Sequence, residues 1–114
     1  MNPIVVGALL GAVGVVAGAF GAHALRERLS AEALGWWETA SRYELIHALA
    51  LVLTGLLARQ RGQALPLPAT LFLVGTLVFA GTLYAMALGA PRWLGAITPL
   101  GGAALIGGWI TLAL

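Results

Sequence analysis

Two long stretches of this chain are almost free of charge. From Pro3 to Leu25 the one ionisable side chain is His23, and Gly62 to Pro91 contains no charge. A helix crosses the hydrocarbon core of a bilayer with about 20 mostly apolar residues, so the first stretch supplies one span and the second supplies another. The rest of the chain follows suit. Leu45 to Ala58 is uncharged but short, and it spans only by recruiting residues back to about Thr39, which puts Arg42 and Glu44 near the membrane edge. Trp93 to Leu114 closes the set. The expected spans are about 3–25, 39–58, 66–89 and 93–114. With 61% hydrophobic and 9% charged residues, a water-soluble fold of 114 residues would have to expose far too much apolar surface.

The fold class expected is an all-α membrane protein, an antiparallel four-helix transmembrane bundle with an interfacial helical segment between spans one and two, forming one domain over 1–114. Ser30 is a suitable N-cap and Glu32 complements the helix dipole behind it. One long helix from about Ala31 to Ala58 is therefore expected, though a break near Ser41 fits equally well. Trp36 and Trp37 fall where an interfacial aromatic belt is expected. Pro66 and Pro68 suit the first turn of span three, where a missing N–H costs nothing. The Ala22-His23-Ala24 triplet has the form of a signal-peptidase site. No Lys or Arg precedes the apolar run, however, and the run is long for a signal peptide, so it reads as a retained span.

Helices in lipid associate through close van der Waals contact, so small residues mark the seams. Gly7, Gly11, Gly14, Gly18 and Gly21 follow one another at steps of four and three and form a stripe along span one. Gly81, Ala85 and Gly89 repeat the pattern in span three, and Gly101, Ala104 and Gly108 in span four. These positions are expected to pack helices and nothing more.

Because the spans alternate in direction, polar residues from all four fall at the same membrane face. They are His23; Thr39, Tyr43, Glu44 and His47; Thr82 and Tyr84; and Thr98 with Pro99. Pro99 removes a helix hydrogen bond, so span four should kink or unwind near Ile97-Thr98. Carbonyls freed in this way are tolerated in a membrane only inside protein or beside water. These nine residues are the candidate pocket. Glu38 and Arg42 are spaced to pair, and Glu44 has Arg26, Arg28 and Arg92 as candidate partners. Glu44 and His47 have the Glu-x-x-His spacing of carboxylate-bridged metal bundles, but the second motif and further Glu ligands are missing. Two histidines alone make a weak case for haem or a single metal. No cofactor, metal or catalytic residue is expected. With no Cys there is no thiol chemistry, and six Arg against four Glu make no phosphate-tracking surface, so nucleic acid is not an expected partner.

Gly-Ala-Phe-Gly-Ala-His at 18–23, Trp36 followed by Thr39 through Tyr43 to His47-Ala48-Leu49-Ala50, Phe79-Ala80-Gly81-Thr82-Leu83-Tyr84, and Thr98-Pro99-Leu100-Gly101-Gly102 before Gly108-Trp109 together resemble the YgdD-like family of small bacterial inner-membrane proteins. The likeness runs through the whole chain. It implies a four-helix bundle in the cytoplasmic membrane and supplies no reaction, substrate or cofactor. Arg59 and Arg61 argue for cytoplasmic termini, and Arg26, Arg28, Arg42 and Arg92 argue the reverse. Family members often carry a basic tail after span four, not seen here, which favours cytoplasmic termini. Two functions compete on this reading: binding or transport of a small molecule, lipid or proton at the polar end, or a structural or accessory role in a membrane complex. The lipid bilayer is the one partner implied outright, with room for a homo-oligomer or a membrane partner protein.

Overall fold

The computed structural model describes residues 1–114, all helix, turn and short connection. Helix α1 covers Pro3–Leu25, α2 Ala31–Arg61, α3 Pro66–Ala87 and α4 Thr98–Ala113, the last preceded by a 3-10 turn over Arg92–Ala96. Four helical segments are long and apolar enough to cross a membrane. The helix starts follow local chemistry. The Asn2 side chain accepts from the backbone N–H groups of Ile4 and Val5, and Ser30 Oγ accepts from Ala33 N at 3.1 Å. Pro66 opens α3, and Gly62, at φ 65°, ends α2 in the left-handed conformation that glycine adopts freely.

Helix α2 is continuous over 31 residues, with no break at Ser41. At 1.5 Å per residue it is about 46 Å long, against about 30 Å of bilayer hydrocarbon. Its first turns therefore form the interfacial segment, and its end runs to Arg61 rather than Ala58.

Each helix packs antiparallel on its chain neighbour: α1 on α2, α2 on α3, α3 on α4. Helices α1 and α3 straddle α2 without packing along each other, so the bundle is open and grooves run between non-neighbours. Two clusters make the core. Ala50, Leu51, Ala69, Phe72 and Leu105 fill one half, and Ala40, Ala80, Leu83 and Met86 the other. The outer faces of α1 and α4 carry Val5, Leu9, Phe20, Leu100, Ile106 and Ile110, as expected of surfaces solvated by lipid.

The glycine seams are real but not where the spacing alone puts them all. A Cβ at Gly7 would lie 2.7 Å from the Ala48 carbonyl oxygen, at Gly14 2.9 Å from Leu45, and at Gly21 2.8 Å from Trp37. Gly18 faces Ser41, while Gly11 has ordinary room. In α4, an added Cβ at Gly101 would strike the Phe79 backbone, and one at Gly108 would lie 2.7 Å from Phe72. Gly81 is different: nothing lies within 4 Å of its Cβ position. The close glycine of α3 is Gly75, against Leu105 at 2.8 Å. Gly89, at φ 106°, belongs to the turn after α3, and Ala85 is half-buried.

Two further departures have local causes. Span one contains a π-helical turn over Val16–Gly21, in which the Ala17 carbonyl accepts from Ala22 N and from the Trp37 indole N–H at 2.7 Å. A π-turn leaves a carbonyl free for an outside donor, and Trp37 supplies it, so this Trp ties α1 to α2 rather than serving only as an interfacial anchor. Span four does unwind before Pro99, as expected, but Pro99 then stands in the first turn of α4 instead of inside a helix. No residue from 94 to 99 lines a cavity, and two carbonyls of the unwound segment find donors nearby. Leu94 O accepts from Ile97 N at 2.9 Å and Thr98 Oγ1 at 3.2 Å, and Ile97 O from Leu100 N at 2.9 Å.

Candidate functional site

The buried stripe of α2 reads Ala40, Glu44, His47, Leu51 and Thr54 at helical spacing. Helix α1 covers one flank of the stripe and α3 with α4 the other. Glu44 and His47, one turn apart, thus end up in different surroundings.

Glu44 is 3% exposed and lies under the groove between α1 and α3. Gly14 of α1 lies over it: a Cβ there would crowd the neighbouring Leu45 side chain at 2.9 Å and touch the Glu44 carboxyl carbon at an ordinary 3.5 Å. One carboxyl oxygen, Oε1, accepts from the Tyr84 hydroxyl at 2.8 Å. The other, Oε2, is buried without a partner, and so is Thr76 Oγ1. Both residues line one cavity of about 150 Å³, together with Leu10 and Val13 of α1 and Leu77, Ala80, Gly81 and Tyr84 of α3. Tyr84 is held in turn by an edge-on contact with Trp37, ring centroids 4.6 Å apart. The expected partners of Glu44, namely Arg26, Arg28 and Arg92, do not reach it. The one ion pair in the structure joins Arg92 to Glu32 at the exposed end of α2, and Glu38 and Arg42 are not paired. The continuous α2 accounts for this, because it carries Glu44 more than three turns from the helix end where the arginines lie.

His47 faces the other way and has every polar need met inside the protein. Its Nδ1 lies 2.7 Å from the Tyr43 carbonyl, and its Nε2 lies 3.0 Å from the Trp109 indole nitrogen. A carbonyl only accepts and an indole N–H only donates. Nδ1 therefore carries the proton and Nε2 accepts, which is a neutral imidazole. Phe72 packs at 5.8 Å from the His47 ring and 5.0 Å from Trp109, and Tyr43 packs on Phe79 at 4.7 Å. His47 sits midway along α2.

The remaining candidates divide. Thr82 and Thr98 hydrogen-bond across α3 and α4 at 2.6 Å, a helix-to-helix tie. Thr39 is half-buried and outside the groove. His23 is exposed, in a surface pocket with Ala24, Arg26, Glu27 and Arg28, and joins neither buried centre. No three His, Asp or Glu side chains converge anywhere. Sequence reasoning missed Thr76, which has no polar neighbour in the chain to mark it. It also missed Trp109, which sits beyond the polar end and meets His47 only through the antiparallel fold.

Residues 17–102 match the family described as protein of unknown function DUF423. A membrane protein of Staphylococcus epidermidis, named UPF0382 membrane protein, is 40% identical over 97% of this chain and 91% of its own. A Haemophilus influenzae protein of the same name is also 40% identical, over 93% and 86%. The inner membrane protein YgdD of Escherichia coli K12 is 34% identical over 93% of this chain and 82% of its own. No solved structure matches. Family match, relatives and four apolar helices agree: this chain belongs to the DUF423 (UPF0382) family of small multi-pass membrane proteins and resides in the bacterial inner membrane.

Proposed function

We propose that the groove between α1 and α3 is a binding site for a small molecule that enters sideways from the bilayer, with Glu44 as its polar anchor. The observation that supports this is the Glu44 Oε2 atom, buried without a partner in an apolar surround. An ionisable group inside a membrane protein is costly, and a protein that needs it only for packing normally pairs it. His47 shows that this chain can do so, since both its nitrogens are satisfied internally. Thr76 supplies a second unpartnered group in the same cavity. Gly81 lines the groove and leaves open space where a Cβ would stand, with nothing within 4 Å of it.

A lipid-soluble carbodiimide tests access, because it modifies carboxyl groups that it can reach from the hydrocarbon. Diisopropylcarbodiimide should modify Glu44 in membranes, read by mass spectrometry, and Gly81→Leu should protect it by filling the mouth. Glu44 left unmodified in the parent chain would refute the groove as a site open to lipid.

A second reading is a structural or accessory subunit, alone or as a homo-oligomer. It is favoured by the tight glycine seams and by the sealed His47–Trp109 centre. It predicts that a partner, or a second copy, is recovered in stoichiometric amount under mild detergent and that Glu44 is unreactive.

A further inference from the structure

We infer that the molecule held over Glu44 is a small organic amine, bound as its ammonium ion in exchange for a proton. The inference rests on the groove reading above and names its ligand class.

The groups that face Glu44 decide the chemistry. Helix α1 presents Leu10, Val13 and Gly14, none of which titrates. Helix α3 presents Tyr84, already donating to Oε1, and Thr76. On α2 itself, Arg42 is exposed, and His47, one turn on, is committed to Tyr43 and Trp109. Helix α4 does not line the cavity. An ionised Glu44 therefore has no counter-charge within the protein, and an unpaired buried charge is the arrangement that proteins avoid most strongly. Two states remove the conflict. In one, the carboxyl holds a proton and the groove is empty or filled with lipid. In the other, the carboxylate pairs with a cation from outside, with Tyr84 donating to Oε1 and the cation donating to Oε2. The two states exclude each other, so binding is exchange: R–NH₃⁺ enters, the O–H bond of Glu44 breaks, and its proton leaves to water. Charge in the site is balanced throughout.

The walls select the kind of cation. A bare metal ion needs about six oxygen ligands, and this cavity offers Glu44, Thr76 and Tyr84 against Leu10, Val13, Leu77, Ala80 and Gly81. An ammonium needs few acceptors, and Oε2 with Thr76 Oγ1 supplies two. Its carbon skeleton then takes the apolar walls. The cavity is about 150 Å³, and apolar cavities of about that size hold a benzene-sized molecule. That bounds the ligand to about one ring or a short alkyl chain.

Benzylamine and its neutral analogue benzyl alcohol are suitable probes. Equilibrium binding is measured on the full chain in phosphatidylcholine nanodiscs, with empty nanodiscs subtracted. Saturable benzylamine binding should be at least about tenfold tighter than benzyl alcohol. It should release one proton per amine bound, and its affinity should rise about tenfold per pH unit while the empty site is protonated. Glu44→Gln should abolish the amine preference and the proton release while leaving alcohol binding in place. If that variant does not fold, Gly81→Leu, which keeps the carboxyl and closes the mouth, should abolish binding of both probes. Equal saturable binding of the two probes, or amine binding without proton release, overturns the amine inference and leaves the groove reading standing. No saturable binding of either, with Glu44 also inert to the carbodiimide, overturns both.

Discussion

Gly101→Ala and Gly81→Ala look alike in sequence, since both glycines sit in stripes of small residues on apolar helices, yet the structure predicts opposite outcomes. At Gly101 the new methyl would strike the Phe79 backbone, which cannot rotate away as a side chain can. Helices α3 and α4 must then separate locally. Overpacking of this kind costs about 1–3 kcal/mol, and the Thr82–Thr98 bond one turn away would lengthen with it. At Gly81 the same methyl meets nothing within 4 Å, and alanine gains at most about 1 kcal/mol of helix preference over glycine. The two variants should therefore differ by about 1–4 kcal/mol, with the parent between them. Reversible unfolding of each in mixed detergent micelles, followed by far-ultraviolet circular dichroism, measures the difference. Equal destabilisation by both would refute the assignment of the α3–α4 seam to Gly75, Gly101 and Gly108 rather than Gly81.

Other outcomes follow from the same geometry. Trp109→Phe leaves His47 Nε2 without its donor and should destabilise by about 1–2 kcal/mol in the same assay. Thr76→Val removes a buried hydroxyl that has no partner, and should raise stability by about 1 kcal/mol while weakening benzylamine binding. Arg92→Ala breaks an exposed ion pair and should change stability by less than about 1 kcal/mol. Orientation can be settled with single cysteines, because the chain has none of its own. With cytoplasmic termini, Glu27→Cys should react with an impermeant maleimide applied from outside the cell, and Gln63→Cys should not; the reverse pattern would invert the topology.

The spans were legible because charge is sparse in them, and two helix starts because Ser30 and Pro66 each do a local job that the neighbouring residues announce. The polar end was legible only as a collection. Glu44 and His47 are one turn apart, so a small rotation of α2 decides which meets the groove and which the aromatic cluster, and nothing local to α2 fixes that rotation. It is set by α1 and α4, where Gly14 closes on Leu45 beside Glu44 and Trp109 gives His47 a donor. The π-turn at Val16–Gly21 was equally invisible, because it depends on an indole from the next helix. Gly81 was misread for a related reason. Spacing finds small residues, but contact and vacancy look the same in a sequence.

On this reading Glu44 Oε2, buried without a partner, awaits one that the chain does not supply. A high-resolution structure determined in lipid nanodiscs prepared directly from native membrane tests it most directly. The account predicts ordered non-protein density in the groove between Leu10 and Leu77, within hydrogen-bonding distance of Glu44 Oε2. A closed groove, with Oε2 bonded to a group of the protein itself, would contradict it.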